Sequence, residues 1–321
     1  MKNIAVLNGT SLSAFSQANL PGGKNAFECA IEFAKNLPDV QKVLVLLSAP
    51  RKESAGCDVS VEKEWSTAMV LESIAGASKN SDNIFYFYAD TPLLDPGLAQ
   101  RMYENHIKYF AEYTFADGFP QGLSVEILKP HILEPLIKLS RKEDKVTRDM
   151  FFEIIKRDIN SFDLETELSA VDLRILRLTL AADNKSNTEI LNRVMGTGAR
   201  SETEVLELVQ KKPELLRAYP AYYQLQIVEG CAQSCSYCPY PKVIKDVIGK
   251  KQEMKTDQIL AFAKKALDFS GECTISLSLW GEPGLHSQIA DVIKTLLDMD
   301  GLDIVIETSG LGWDSAAIKS L

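Results

Sequence analysis

Tyr222-Tyr-Gln-Leu-Gln-Ile-Val-Glu229-Gly230-Cys231-Ala-Gln-Ser-Cys235-Ser-Tyr-Cys238 is the stretch on which the reading of this 321-residue chain turns. Its first eight residues, rich in aromatic and β-branched side chains, predict a strand from Tyr222 to Glu229, and Gly230 releases the chain into a loop. In that loop the cysteines stand at C-x3-C-x2-C spacing, so three of the six thiols of the chain fall within eight consecutive residues. Met1 to Leu7 is too short an apolar run for a secretory signal, which predicts a cytoplasmic, reducing setting. There a local thiol cluster reads as a metal site rather than a disulfide framework.

Which metal follows from ligand number. Three thiolates can hold three irons of a cubane and leave the fourth open to an external ligand, whereas zinc wants four ligands and would need Cys273 or His286 as well. A noncatalytic zinc or iron–sulfur module is the alternative reading. Cys29, in an amphipathic helix, and Cys57, in a polar loop, have no partner at metal spacing. His106, His131 and His286 are scattered, so the sequence names no histidine general base and no catalytic residue.

Downstream, helices over Thr256–Phe269 and Gln288–Met299 alternate with strands over Thr274–Leu279 and Leu302–Glu307. Each strand runs into a polar turn, Ser278-Leu-Trp-Gly281-Glu282-Pro283 after the second and Glu307-Thr308-Ser309-Gly310 after the third. Cysteine loop and both turns thus sit at the carboxyl ends of successive strands, where barrels carry function.

These residues resemble the radical S-adenosylmethionine (SAM) superfamily. The resemblance implies the first half of a partial (β/α)6 TIM-like barrel, with Cys231, Cys235 and Cys238 holding a [4Fe–4S] cluster. It further implies SAM contacts at Tyr237, at Gly281, Glu282 and Pro283, and at Thr308, Ser309 and Gly310. Trp280 departs from the pattern, standing where relatives have glycine. The implied reaction is reductive cleavage of SAM to start radical chemistry on a peptide or small-molecule substrate, with electrons from a flavodoxin- or ferredoxin-type donor. Only three strands of such a barrel are legible, which predicts a partial chain.

Upstream, short β-rich runs at Ile4–Leu7, Lys42–Leu47 and Asn83–Tyr88 alternate with helical patterns, as in Ala26–Asn36, where Phe27, Ala30, Ile31, Ala34 and Leu37 share one face. This reads as a mostly parallel, Rossmann-like α/β/α domain. Asn8-Gly9-Thr10 after the first strand, Lys24 after Pro21-Gly22-Gly23, and Asp90 at a strand end resemble the sugar nucleotidyltransferases that make CMP-activated sugars. Ala116-Asp117-Gly118-Phe119-Pro120 and Asp183 extend the resemblance. It implies a nucleotide at Asn8, Gly9 and Lys24 and Mg²⁺ at Asp90, with a sugar nucleotidyltransferase carrying an iron–sulfur module as the alternative function. The family's longer glycine- and arginine-bearing first loop is missing. Asp90 alternatively caps the Thr91-Pro92 turn.

The pairing of the two domains resembles the spirochaete-associated radical SAM/SPASM proteins, which implies a further cysteine-rich SPASM segment. Domain boundaries are expected at 1–198 for the nucleotidyltransferase-like part, 199–220 for a linker helix opened by the capping box of Ser201 and Glu204, and 221–321 for the incomplete radical SAM part. The formal charge of −9 argues against a nucleic-acid partner. Lys242, Lys245, Lys250, Lys251 and Lys255 form a local basic cluster that reads as a solvated helix face and turn. The apolar runs are strand-sized, so no membrane span is expected.

Overall fold

β1 (Asn3–Gly9) is buried at every residue, as a strand covered on both faces must be. In the computed structural model, which describes residues 1–231, 233, 235–238 and 252–319, β2 (Val40–Leu47) and β4 (Asn83–Tyr88) flank it in parallel and β3 (Asp58–Val61) continues beyond β2. With β5 (Tyr113–Asp117), β6 (Glu126–Leu128) and β7 (Leu164–Leu168) the sheet reads β3-β2-β1-β4-β6-β5-β7, and β6 is antiparallel to both its neighbours.

The two-residue period of the strands sorts their side chains onto two cores. Ala5, Leu7, Phe85 and Phe87 face one, shared with α1 (Ala26–Lys35), α3 (Pro96–Lys108), α6 (Lys185–Gly196) and α7 (Glu202–Lys211). Ile4, Val6, Ile84 and Tyr86 face the other, shared with α2 (Thr67–Ala77), α4 (Leu133–Leu139) and α5 (Met150–Ile155). This is the α/β/α layering expected of the N-terminal region.

The chain divides into two units, Met1–Arg217 and Ala218–Leu321. The 199–220 stretch, expected as a linker, contains α7, opened by the reciprocal bonds of Ser201 and Glu204. Its Val205, Leu206 and Val209 lie in the first unit's core. The helix is shorter than its apolar pattern suggested, because Pro213 lacks an amide proton and the chain tightens into a 3-10 turn at Pro213–Leu216.

In the second unit, β8 (Tyr222–Gln224), β11 (Cys273–Ser276) and β12 (Leu302–Val305) form a parallel sheet of order β12-β11-β8. α8 (Thr256–Ser270) precedes β11 and α9 (Ile289–Leu297) links β11 to β12. Ile259, Ala263, Ile275, Val292, Ile293 and Leu296 build their common core. α10 (Ser315–Lys319) follows. The single strand expected from Tyr222 to Glu229 is two strands. β8 pairs with β11, while β9 (Val228–Glu229) leaves that sheet and pairs antiparallel with β10 (Gln252–Glu253). Of the basic cluster, Lys242, Lys245, Lys250 and Lys251 lie outside the described residues. No helix among the described residues is long and apolar enough to cross a membrane.

Candidate functional site

The carboxyl ends of β11 and β12 are tied by one hydroxyl. Ser278 Oγ donates to the Glu307 carbonyl at 2.8 Å and accepts from the Glu307 amide at 2.7 Å. The chain then turns through Gly281, where a side chain is excluded: an added Cβ would stand 1.9 Å from the Val228 carbonyl oxygen. The Glu282 amide donates to the Gly230 carbonyl at 3.0 Å. Gly281 and Glu282 are therefore seated directly against the residues that lead into Cys231.

Glu282 itself is 3% exposed, yet its carboxylate meets five donors. Oε1 accepts from the Gly284 amide at 3.0 Å, Thr308 Oγ1 at 2.5 Å and Trp313 Nε1 at 3.3 Å. Oε2 accepts from the Ser309 amide at 2.8 Å and Ser309 Oγ at 2.5 Å. Burial pushes its pKa up, but the bonds from Ser309, Thr308 and the backbone outweigh burial and hold the carboxyl below its ordinary range. Glu282 thus fastens the turn after β12 to the turn after β11, bringing Gly281, Pro283, Thr308, Ser309 and Gly310 together. Its own oxygens are spent on this chain, which leaves backbone groups as the means by which the turn can meet a ligand. Trp313 was not legible as part of this site, since no motif marks it.

The three loop thiols are half-buried and free of disulfides. The Gln233 amide donates to Cys231 Sγ at 3.4 Å, Cys235 Sγ donates to Gln233 Oε1 at 3.3 Å, and the Cys238 amide donates to the Cys235 carbonyl at 3.1 Å. Among the described residues no three cysteine, histidine or acidic side chains converge on one point in a metal-ligating array. The donor set nonetheless fits an iron–sulfur cluster, being three free thiols of one short loop. Tyr237 is 86% exposed.

Cys273 points into the second unit's core, where burial raises its thiol's pKa. His286 is buried between two backbone groups: Nε2 donates to the Met254 carbonyl at 2.8 Å, and Nδ1 accepts from the Gln288 amide at 3.1 Å. Both of the residues considered for a fourth zinc ligand are thus occupied by the fold. His106 is buried against Thr114 Oγ1 at 2.8 Å, and burial, with a smaller push from Lys129, lowers it to about 4.

In the first unit the candidate nucleotide residues are engaged by their own chain. Asn8 Nδ2 donates to Tyr86 Oη at 2.6 Å, and its Oδ1 accepts from the Thr10 amide and hydroxyl at 3.0 and 2.8 Å. A Cβ at Gly9 would come within 2.8 Å of Leu47 Cδ2 and 3.0 Å of the Leu46 carbonyl, so this glycine serves the close approach of β1 to β2. Lys24 pairs on the surface with Glu32 at 2.5 Å. Asp90 is not seen to cap the following turn, while Thr91 Oγ1 donates back to the Tyr88 carbonyl at 2.6 Å. Instead Asp90 Oδ2 accepts from Arg148 Nη2 at 2.7 Å, and the same nitrogen donates to Asp183 Oδ2 at 3.1 Å. Arg148 lies in a polar run between α4 and α5 that no spacing rule singles out.

Comparison with known proteins bears on family in one part of the chain and on fold in another. Residues 225–321 match the Radical SAM superfamily. An uncharacterized protein of Treponema pallidum (strain Nichols) is 36% identical over 172 residues, 53% of this chain and 46% of that protein. The ribosomal protein uS12 methylthiotransferase RimO of Chlorobium chlorochromatii (strain CaD3) is 28% identical over 181 residues, 54% of this chain and 36% of its own. The chain spans less than half the length of these curated relatives. Among solved structures, a cytidylyltransferase from Leptospira borgpetersenii serovar Hardjo-bovis (strain JB197) superposes with a TM-score of 0.56 at 17% identity, covering 67% of this chain and 96% of its own. That likeness is one of fold.

Proposed function

Starting from a radical SAM domain in residues 225–321, we propose that Cys231, Cys235 and Cys238 hold a [4Fe–4S] cluster and that the chain takes part in SAM-dependent radical chemistry. When bound, such a cluster supplies the electron that cleaves SAM reductively. The observation that carries the reading is the seating of Gly281 against the Val228 carbonyl, with the Glu282 amide on Gly230. It puts the second-strand turn beside the entry to the cysteine loop, and Glu282 adds the third-strand turn to the same edge.

In this arrangement the backbone of Gly281, Glu282 and Pro283 offers its polar groups to the amino end of SAM. Thr308, Ser309 and Gly310 shape the neighbouring wall, and Tyr237 supplies an aromatic face for the adenine. Glu282 is a positioning residue, since its carboxylate holds the two turns in register and reaches no further. Electrons come from a flavodoxin- or ferredoxin-type donor in the reducing cytoplasm. A polypeptide is the substrate class we favour, because RimO, one of the relatives, is named for a ribosomal protein and the two-domain order resembles SPASM proteins.

Anaerobic reconstitution of the chain with iron and sulfide, followed by electron paramagnetic resonance of the reduced protein, tests the assignment. A [4Fe–4S]⁺ signal that SAM perturbs, and that Cys235→Ala abolishes, is expected. Tight zinc binding with no cluster formed would overturn it.

A further inference from the structure

In the first unit two carboxylates from distant parts of the chain converge, and what stands between them is a side chain. Asp90 follows β4 at the carboxyl edge of the sheet and is 5% exposed, and Asp183 precedes α6. Arg148 Nη2 bridges them at 2.7 and 3.1 Å. The guanidinium carbon lies 4.6 Å from the centroid of the Tyr88 ring, a cation–π contact that fixes the third side of the group. The other oxygen of Asp183 accepts from the Asn184 amide at 2.8 Å and Asn187 Nδ2 at 2.9 Å. Three of the four carboxylate oxygens are thereby engaged, and the fourth, Asp90 Oδ1, is buried without a partner.

This arrangement does not fit a divalent cation. Mg²⁺ demands a near-octahedral set of oxygens at about 2.0 Å. One oxygen of each carboxylate is already drawn onto a guanidinium that stays protonated at any accessible pH and repels a second cation. We propose that Arg148 is a resident cation standing where the strand-end carboxylates would otherwise gather a metal ion. The N-terminal unit then keeps a cytidylyltransferase-like fold without a metal site at Asp90. Whatever occupies the adjoining cavity of about 450 Å³, which Tyr88, Phe115, Phe152 and Arg148 help to line, binds without divalent metal.

The test is a titration of the full chain with Mn²⁺, followed by electron paramagnetic resonance of the free ion and by calorimetry. Wild type and Asp90→Asn are expected to take up Mn²⁺ identically. Arg148→Ala, which frees the oxygens and leaves two carboxylates facing one another, should gain a site that binds Mn²⁺ at least about tenfold more tightly, and Asp90→Asn in that background should remove it. Mn²⁺ should also raise the melting temperature of Arg148→Ala and leave that of wild type alone. Wild-type Mn²⁺ binding that Asp90→Asn abolishes would overturn the proposal, as would a folded Arg148→Ala protein that gains no site. If Arg148→Ala does not fold, wild type against Asp90→Asn and Asp183→Asn still decides the matter.

Discussion

Asp90 in the first unit and Glu282 in the second are both nearly sealed from water, yet their carboxyls are driven in opposite directions. At Asp90 burial dominates; Arg148 pulls the pKa back, Asp183 adds to the rise, and the net result lies above the ordinary range. At Glu282 burial is overcome by neutral donors, three from backbone or hydroxyl groups of the turn after β12 and two from Gly284 and Trp313. The difference teaches that a buried carboxylate is stabilised by the number and aim of the donors on both oxygens more than by the presence of one formal countercharge. One unit solves the problem with a charge brought from a distant segment, the other with the local geometry of two turns.

The largest effect is expected where that local geometry is built. Gly281→Ala forces a Cβ onto the Val228 carbonyl and should cost about 3 kcal/mol. Urea unfolding followed by tryptophan fluorescence checks it, because Trp280 and Trp313 lie in the second unit and Trp65 in the first. A cost below about 1 kcal/mol would mean that the close approach does not set the position of Glu282.

Glu282→Ala comes next, since it orphans several buried donors at once and should destabilise the second unit by about 2 kcal/mol. The acid dependence follows from the sign of the shift. The folded carboxyl ionises below its unfolded value of about 4.3, so its contribution is complete above that value and is lost as pH falls through the lower, folded one. Glu282→Gln should flatten the stability profile in that acid window; an unchanged slope would break the contrast with Asp90.

The third change is a gain. Glu126, half-buried near Tyr113 and Asp149 with Oε2 sealed and unpartnered, is pushed up to about 8, chiefly by burial of its carboxylate, with Tyr113 opposing and Asp149 reinforcing the rise. Here the unfolded chain gives up its proton first, so stability falls as pH rises from about 4.3 toward 8. Glu126→Gln should remove that slope, so that the variant gains on wild type between pH 5 and pH 8. Denaturation at the two pH values reads it directly.

The sequence carried the features whose cause is local. The helix at Ala26 was legible from its apolar face, and the structure adds the capping box of Asn25 and Glu28 that starts it. The cysteine loop, the Gly281 turn and the Thr308 turn were legible because each is a short motif following a strand. What was not legible depends on long-range placement. Nothing in Tyr222–Glu229 announces that its two ends join different sheets, since propensity records strand character but not partner. β6, three residues long and antiparallel, left no periodic signal. Arg148 reads as one more charge in a solvated run, and its meaning comes from carboxylates 58 and 35 residues away.

The short ladder that surprised the strand reading has an entropic consequence. β9 and β10 join Glu229 to Gln252, and the Met254 amide extends the clasp by donating to the Ile227 carbonyl at 2.8 Å. The residues just before Cys231 and those that begin at Gln252 are therefore held side by side. The cost of bringing chain ends together grows with the logarithm of loop length and has been met at the ladder.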